Sequence, residues 1–291
     1  MNIIRARTAG FCMGVSLALQ NLDNALELHG QGDSIPVHLR GRRIVTYGPI
    51  IHNPQVLSEY AEQGVLCTER LEDIRPDDMV IIRAHGIPKT DEEALRAQGA
   101  LISDATCPKV KRAQLSIRDA TAEGQILLLF GEEDHPEVKG LLSYASGAVH
   151  VFGSLAELRT HTLAPEKAYV LAAQTTQDQN EFARISAWVQ ESFPETPVLC
   201  TICNATRKRQ DEALSIAASV DAMIVVGGKT SGNTRRLAAL AQECGVRTWH
   251  VESPEELPPE ELKDTGRVGI TAGASTPGVQ IDNVQRFLER L

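Results

Sequence analysis

Six short apolar stretches recur along this chain: RRIVTYG, DMVIIRA, QILLLFG, YVLAAQ, AMIVVGG and RVGITAG. Amphipathic, helix-like runs separate them. Strand-length apolar runs alternating with helical patterns specify an α/β fold with mainly parallel sheets. Several of the runs are apolar on both faces, as strands covered by helices on both sides must be. At 291 residues the chain is long enough for two or three small domains.

Three cysteines punctuate this pattern at almost equal intervals: Cys12 in GFCMGVSLAL, Cys107 in DATCPKVKRA and Cys203 in TICNATRKRQ. Each follows a short extended stretch and precedes a helix-like run. Pro108 is a favoured first helical residue, and helices are expected to begin near Gly14, at Pro108 and after Cys203. Each third of the chain then carries two further strands that end in polar loops. The first third has YGPIIHN with His52 and RAHG with His85. The second has FGEEDHPE with His135 and Glu137, and AAQTTQ with Thr175 and Thr176. The last has GGKTSGN with Ser231, Gly232 and Asn233, and TAGAST with Ser275. This is a repeat of architecture without a repeat of residues. Boundaries are therefore expected at the cysteines, giving domains 1–107, 108–203 and 204–291. Pro254, Pro258 and Pro259 mark a surface loop rather than a junction.

A net charge of −9 and a pI near 5.4 argue against a nucleic-acid binder that works through a general positive field. No apolar run approaches the length of a membrane span, and no small-residue cleavage site follows the short apolar run after Arg5 and Arg7. The expected location is the cytoplasm, where thiols stay reduced. Six cysteines there suggest metal binding or catalysis rather than disulfides.

A thiolate at a helix N-terminus is stabilised by free backbone N–H groups and by the helix dipole. That suits a metal ligand at Cys12, Cys107 and Cys203 alike, although a single free cysteine is usually a small buried hydrophobe. Cys67 and Cys244 lack the pattern and read as structural. Cys200 makes a C-x-x-C with Cys203, but no second pair or His pair completes a zinc site, so Cys200 is assigned to the strand PVLC.

The loops carry weak donors at the carboxyl ends of strands, where open α/β sheets bind ligands. A lone His is usually structural; three at corresponding loops suggest more. With Ser231, Asn233, Ser275 and the glycines 227, 228 and 232, the set suits a phosphate or diphosphate. GGKTSGN lacks the spacing of a P-loop, and Lys229 reads equally as a phosphate contact or a solvated loop residue. Glu137 reads either as a proton donor or as an acid in a helix first turn. Thr175 and Thr176 either serve that acid or cap the helix that begins at DQNEF.

The motifs GFCMGV, YGPIIHN, RAHGIP, DATCP, G-x3-HPEV, AQTTQ, TICNAT, GGKTSGNTRRLA and TAGASTP occur in this order. In that order the chain resembles the LytB/IspH family of 4-hydroxy-3-methylbut-2-enyl diphosphate reductases, from Gly10 to about Pro277. The resemblance implies three α/β domains in a pseudo-threefold arrangement around a [4Fe-4S] cluster. Cys12, Cys107 and Cys203 would hold it, with one iron left open for the substrate hydroxyl. It implies reductive dehydroxylation of the allylic diphosphate to isopentenyl and dimethylallyl diphosphates, the last step of the non-mevalonate isoprenoid pathway. His52, His85, His135, Thr175, Thr176, Ser231, Gly232, Asn233 and Ser275 would bind the substrate. Glu137 would donate the proton, assisted by Thr175, and ferredoxin or flavodoxin would supply electrons. Two positions depart from the commoner pattern. Gly232 stands where some members have a second serine, and Gln114 stands where many have a histidine. Two other readings compete: an aconitase-type hydro-lyase, which would favour arginine clamps for carboxylates, and a cluster-bearing sensor or scaffold, which would not need Glu137.

Overall fold

The computed structural model describes residues 1–30 and 41–291. Among these residues eleven strands form three sheets, and every strand pair is parallel. In chain order the strands are β1 (Asn2–Arg5), β2 (Ile44–Tyr47), β3 (Leu66–Thr68), β4 (Met79–Ile82), β5 (Leu101–Asp104), β6 (Ile126–Phe130), β7 (Val149–Phe152), β8 (Tyr169–Ala173), β9 (Ala222–Val226), β10 (Arg247–Val251) and β11 (Arg267–Ala272). The sheets run β1-β11-β9-β10, β3-β2-β4-β5 and β7-β6-β8. The α/β class with parallel sheets expected from the sequence is what the chain adopts.

The described chain forms two compact units. One comprises Met1–Val15, Ile51–Val56 and Cys203–Leu291, and the other Ser16–Ile50 and Leu57–Ile202. The first unit holds one sheet. Its opening strand comes from the start of the chain, with Asn2 to Arg5 in register against Arg267 to Ile270. The first residues thus belong with the last third of the chain rather than with the strands that follow them.

Both faces of that sheet are covered. Ala222, Ile224 and Val226 pack with Val268, Ile270 and Ala272 against Ile281, Val284 and Leu288 of the helix Gly278–Leu288. The alternate residues Met223 and Val225 point the other way, towards Ala213, Ile216 and Ala217 of the helix Asn204–Ala217 and Leu237, Ala238 and Ala241 of the helix Gly232–Glu243. A period of two on a doubly covered strand makes every position apolar.

The second unit repeats the device. Leu128, Phe130, Leu171 and Ala173 pack against Phe182, Ile185 and Val189. Leu127, Leu129 and Ala172 pack against Ala113, Ile117, Val138 and Leu141. Leu128 has no exposed surface. Leu128→Ala is expected to cost about 2–5 kcal/mol from lost burial plus the cavity left behind. A urea midpoint lowered with unchanged slope would show it.

The helices expected after the three cysteines begin at Met13, Pro108 and Asn204. Pro254 and Pro259 start a short 3-10 turn and a one-turn helix, consistent with a surface excursion. The strand expected at PVLC does not form. Val198 makes one isolated bridge with Leu171, and Cys200 lies exposed beyond it. The chain there leaves the sheet to reach the helix that Cys203 opens.

Candidate functional site

Each cysteine loop is tied to the loop at the end of a neighbouring strand. Cys12 N–H donates to the Ala274 carbonyl at 3.1 Å, beside Ser275. Cys107 N–H donates to the Ala84 carbonyl at 2.9 Å, beside His85. Two residues before Cys203, the Thr201 hydroxyl accepts from Ala173 N–H at 2.8 Å and donates to the Ala173 carbonyl at 2.7 Å, next to the AAQTTQ loop. Within each sheet, parallel strands end at one edge, so the loop after one strand meets the loop after its neighbour.

Cys107 and Cys203 stand at the N-caps of their helices, and neither side chain makes a capping hydrogen bond. The Cys12 sulfur accepts from Val15 N–H at 3.5 Å in the first turn of the helix Met13–Gly30. None of the six cysteines is in a disulfide; Cys12, Cys107 and Cys203 are partly buried, whereas Cys67, Cys200 and Cys244 are exposed. Cys67 and Cys244 are thus surface residues, not small buried hydrophobes.

In the second unit, His135 caps the helix Pro136–Leu142. Its Nδ1 accepts from Glu137 N–H at 3.1 Å, which leaves Nε2 as the protonated ring nitrogen of the neutral form. The His85 and His135 rings meet edge to face with centroids 5.2 Å apart. Glu137 is 1% exposed. Its Oε1 accepts from Thr175 N–H at 2.6 Å and its Oε2 from the Thr175 hydroxyl at 2.9 Å. Burial pushes the Glu137 carboxyl up from 4.5 to about 7, and the two Thr175 hydrogen bonds only partly offset it. Glu137 is thus an acid in a helix first turn whose carboxyl, because it is buried, holds its proton more tightly than an exposed one does.

Thr175 serves that acid and does not cap the next helix. Asp178 does so, its carboxylate accepting from Glu181 N–H at 2.7 Å. Thr176 accepts from Gln174 Nε2 at 3.3 Å. Gln174 Oε1 accepts from Glu132 N–H at 3.1 Å, so one buried amide joins the two strand-end loops that carry His135 and Thr175.

The first unit carries the other donors. Ser231 caps the helix Gly232–Glu243, its hydroxyl accepting from Thr234 N–H. Asn233 is 6% exposed, and its Nδ2 has no hydrogen-bond partner among the described residues. A buried N–H donor aimed at nothing costs free energy unless a ligand accepts from it. The Ser275 hydroxyl donates to the His52 carbonyl at 3.1 Å. Gly227 has φ of +138°, and a Cβ on Gly228 would lie 2.9 Å from that same His52 carbonyl. Only glycine lets the loop pass this closely. Lys229, read as a possible phosphate contact, is instead ion-paired with Glu256.

The site also uses residues that the sequence did not single out. Asn53 is 1% exposed and donates from Nδ2 to the Ser275 carbonyl and to Gln280 Oε1, which fixes the His52 loop against the Ser275 loop. Arg209 is 3% exposed and donates to the Thr8 and Gly10 carbonyls. Gln114, which the sequence marks as standing in the place of a histidine, is buried, with its amide 2.8 Å from where a side chain on Gly86 would begin.

The family model for LytB protein matches residues 3–289. The chain belongs to the LytB family. Among its LytB relatives, the 4-hydroxy-3-methylbut-2-enyl diphosphate reductase of Desulfovibrio desulfuricans is 56% identical over 291 residues, covering all of both chains. The reductase of that name from Aquifex aeolicus is 40% identical over 294 residues, covering all of this chain and 97% of the other. The E-1-hydroxy-2-methyl-but-2-enyl-4-diphosphate reductase of Plasmodium falciparum is a structural neighbour with a TM-score of 0.89 at 26% identity, covering all of this chain and 87% of that one. A second solved structure is described as (E)-4-hydroxy-3-methyl-but-2-enyl diphosphate reductase, the terminal enzyme of the non-mevalonate pathway. It has a TM-score of 0.67 at 38% identity and full coverage of both chains. No helix among the described residues of this LytB chain is long and apolar enough to cross a membrane.

Proposed function

We propose that this chain is a 4-hydroxy-3-methylbut-2-enyl diphosphate reductase that removes the substrate hydroxyl as water. The carrying observation is full-length likeness at 56% identity to a reductase of that name. The overall change is R–OH plus two electrons and two protons to R–H plus water. One proton leaves with the hydroxyl and the other goes to carbon. Protonation at either end of the allylic system gives isopentenyl or dimethylallyl diphosphate.

The donor set fits a [4Fe-4S] cluster on Cys12, Cys107 and Cys203. These are the three partly buried thiols, each opens a helix, and the other three cysteines are exposed. When bound, the cluster would supply electrons to the C–O bond and, at an open iron, a site for the substrate oxygen. Ferredoxin or flavodoxin is the proposed electron source and the cytoplasm the proposed location.

The chain's own residues manage the proton and the anion. Thr175 N–H holds Glu137 Oε1 as an acceptor, so the proton of the neutral acid resides on Oε2. There it meets the Thr175 hydroxyl, which can accept it and pass its own proton onward. His85, His135 through Nε2, Thr176, His52, Ser231, the Gly232 backbone, Asn233 through Nδ2, and Ser275 are the proposed diphosphate donors. The unsatisfied Asn233 amide and the N-terminus of the helix Gly232–Glu243 support that assignment. Holding the diphosphate fixes the reacting carbon near the acid and excludes water.

The test is an anaerobic assay of iron- and sulfide-replete protein with the diphosphate and a chemical reductant. Both isoprenoid diphosphates should form, and only when reductant is present. No consumption of the diphosphate by replete protein, or turnover without reductant as a hydro-lyase would give, overturns the proposal.

A further inference from the structure

Arg209 lies on the buried face of the helix Asn204–Ala217, which Cys203 opens. Its guanidinium Nε and Nη2 donate to the Thr8 carbonyl at 3.0 and 2.6 Å, and Nη2 also donates to the Gly10 carbonyl at 2.7 Å. Three residues on, the Glu212 carboxylate accepts from Arg7 N–H, Thr8 N–H and the Thr8 hydroxyl at 2.6–2.8 Å. Arg209 and Glu212 thus grip both edges of the Arg7–Gly10 backbone, the segment that leads into Cys12. The i, i+3 spacing puts them on one side of the helix.

The hydrogen bonds of Arg209 go to carbonyl oxygens, which do not neutralise it. Buried cations are normally paired with an anion, because leaving water is costly. Arg209 is anchored on the Gly10 carbonyl, two residues before Cys12, and sits on the helix that Cys203 caps; burial lowers its pKa, and negative charge on Cys12, Cys203 and then Glu212 opposes that loss.

We infer that Arg209 is a positioning residue for the Cys12–Cys203 pair, holding the Cys12 loop onto the helix that Cys203 opens and stabilising negative charge gathered on that pair. This inference rests on the reading above that the two thiols help to hold an iron–sulfur cluster. Adding one electron to such a cluster adds one negative charge. A fixed buried cation nearby favours the reduced form and raises the reduction potential. Arginine suits both tasks, because its planar fork reaches two carbonyls and its charge is permanent.

Two variants separate the tasks. Arg209→Lys keeps the charge and loses the fork, and Arg209→Gln loses the charge. In protein prepared without metal, amide hydrogen exchange between Thr8 and Val15 should quicken about tenfold or more in both variants. In reconstituted protein, the midpoint potential from an electron paramagnetic resonance titration should fall in Arg209→Gln and stay near that of the unaltered protein in Arg209→Lys. Unchanged exchange in Arg209→Lys overturns the clamp, even if the glutamine variant folds poorly. An equal fall in potential in both variants shows a structural effect only and overturns the electrostatic role, as does no fall in either. If the unaltered protein takes up no cluster, the function reading fails instead, and the exchange measurement still decides the clamp.

Discussion

Glu137→Gln is expected to lower turnover by about two to four orders of magnitude, the range for removing a general acid, while the protein keeps its fold and its bound iron. Glutamine matches the carboxyl in shape. Its Oε1 can still accept from Thr175 N–H, and its amide can donate to a Thr175 hydroxyl that turns to accept. What it lacks is the proton on Oε2. The pH dependence of stability gives an independent signature. The folded carboxyl titrates at about 7 and the ordinary group at 4.5. The folded state therefore binds the proton more tightly than the unfolded chain does. Stability from this group is intact below about pH 4.5, declines as the pH rises through 7, and is then lost. The integrated difference is on the order of 3 kcal/mol, from 1.36 kcal/mol per pKa unit. Glu137→Gln should remove that decline, so urea midpoints of the two proteins should diverge from pH 5 to pH 8 in favour of the variant. Turnover of the unaltered enzyme should also fall as the pH passes 7 and the acid loses its proton. If the variant keeps full turnover, Glu137 is not the donor.

The same carboxyl shows what a sequence can carry. HPEV placed Glu137 in a helix first turn, and the turn is there. Its raised proton affinity comes from burial, which only the fold supplies, and is partly offset by Thr175, thirty-eight positions away. The strands divide in a similar way. The six apolar runs correspond to β2, β4, β6, β8, β9 and β11, whose residues are almost all buried. The other five, β1, β3, β5, β7 and β10, are all at sheet edges, while the sixth edge strand, β8, is covered along its outer side by residues 197–199. With one side open to solvent those five need no continuous apolar run, and their mixed burial leaves no period to detect. The pairing of β1 with β11 has no local signal, since a parallel partner is fixed by packing and not by a turn. Arg209 was concealed by the charged run RKRQ. Its signal is helical period: with Thr206, Ala213 and Ile216 it lies on the buried stripe, so a charge stands where an apolar residue would be expected.

Serine at Cys12, Cys107 or Cys203 is expected to remove most bound iron and sulfide and to reduce turnover below detection. Serine at Cys67, Cys200 or Cys244 should change neither. The hydroxyl of serine is not ionised at neutral pH and is a poor substitute for a soft thiolate towards iron. The second group is exposed and outside the helix-opening positions. Loss of the cluster can be separated from loss of the fold. Cys107 and Cys203 are N-caps whose sulfur makes no capping hydrogen bond. Serine is among the best N-cap residues, its oxygen accepting from an N–H in the first turn, and a good cap is worth about 0.5–2 kcal/mol. In protein prepared without metal, Cys107→Ser and Cys203→Ser should therefore melt no lower than the unaltered chain, and by the capping argument higher. Cys12 already accepts from Val15 N–H, so serine there should leave the apo protein unchanged. Iron content, sulfide content and apo melting temperature measured on all six variants decide the assignment. A Cys200→Ser protein that loses its iron while Cys203→Ser retains it would transfer the ligand role to the exposed member of the C-x-x-C pair. A lower apo melting temperature in Cys107→Ser or Cys203→Ser would show that the helix openings rely on sulfur for packing and not only for binding.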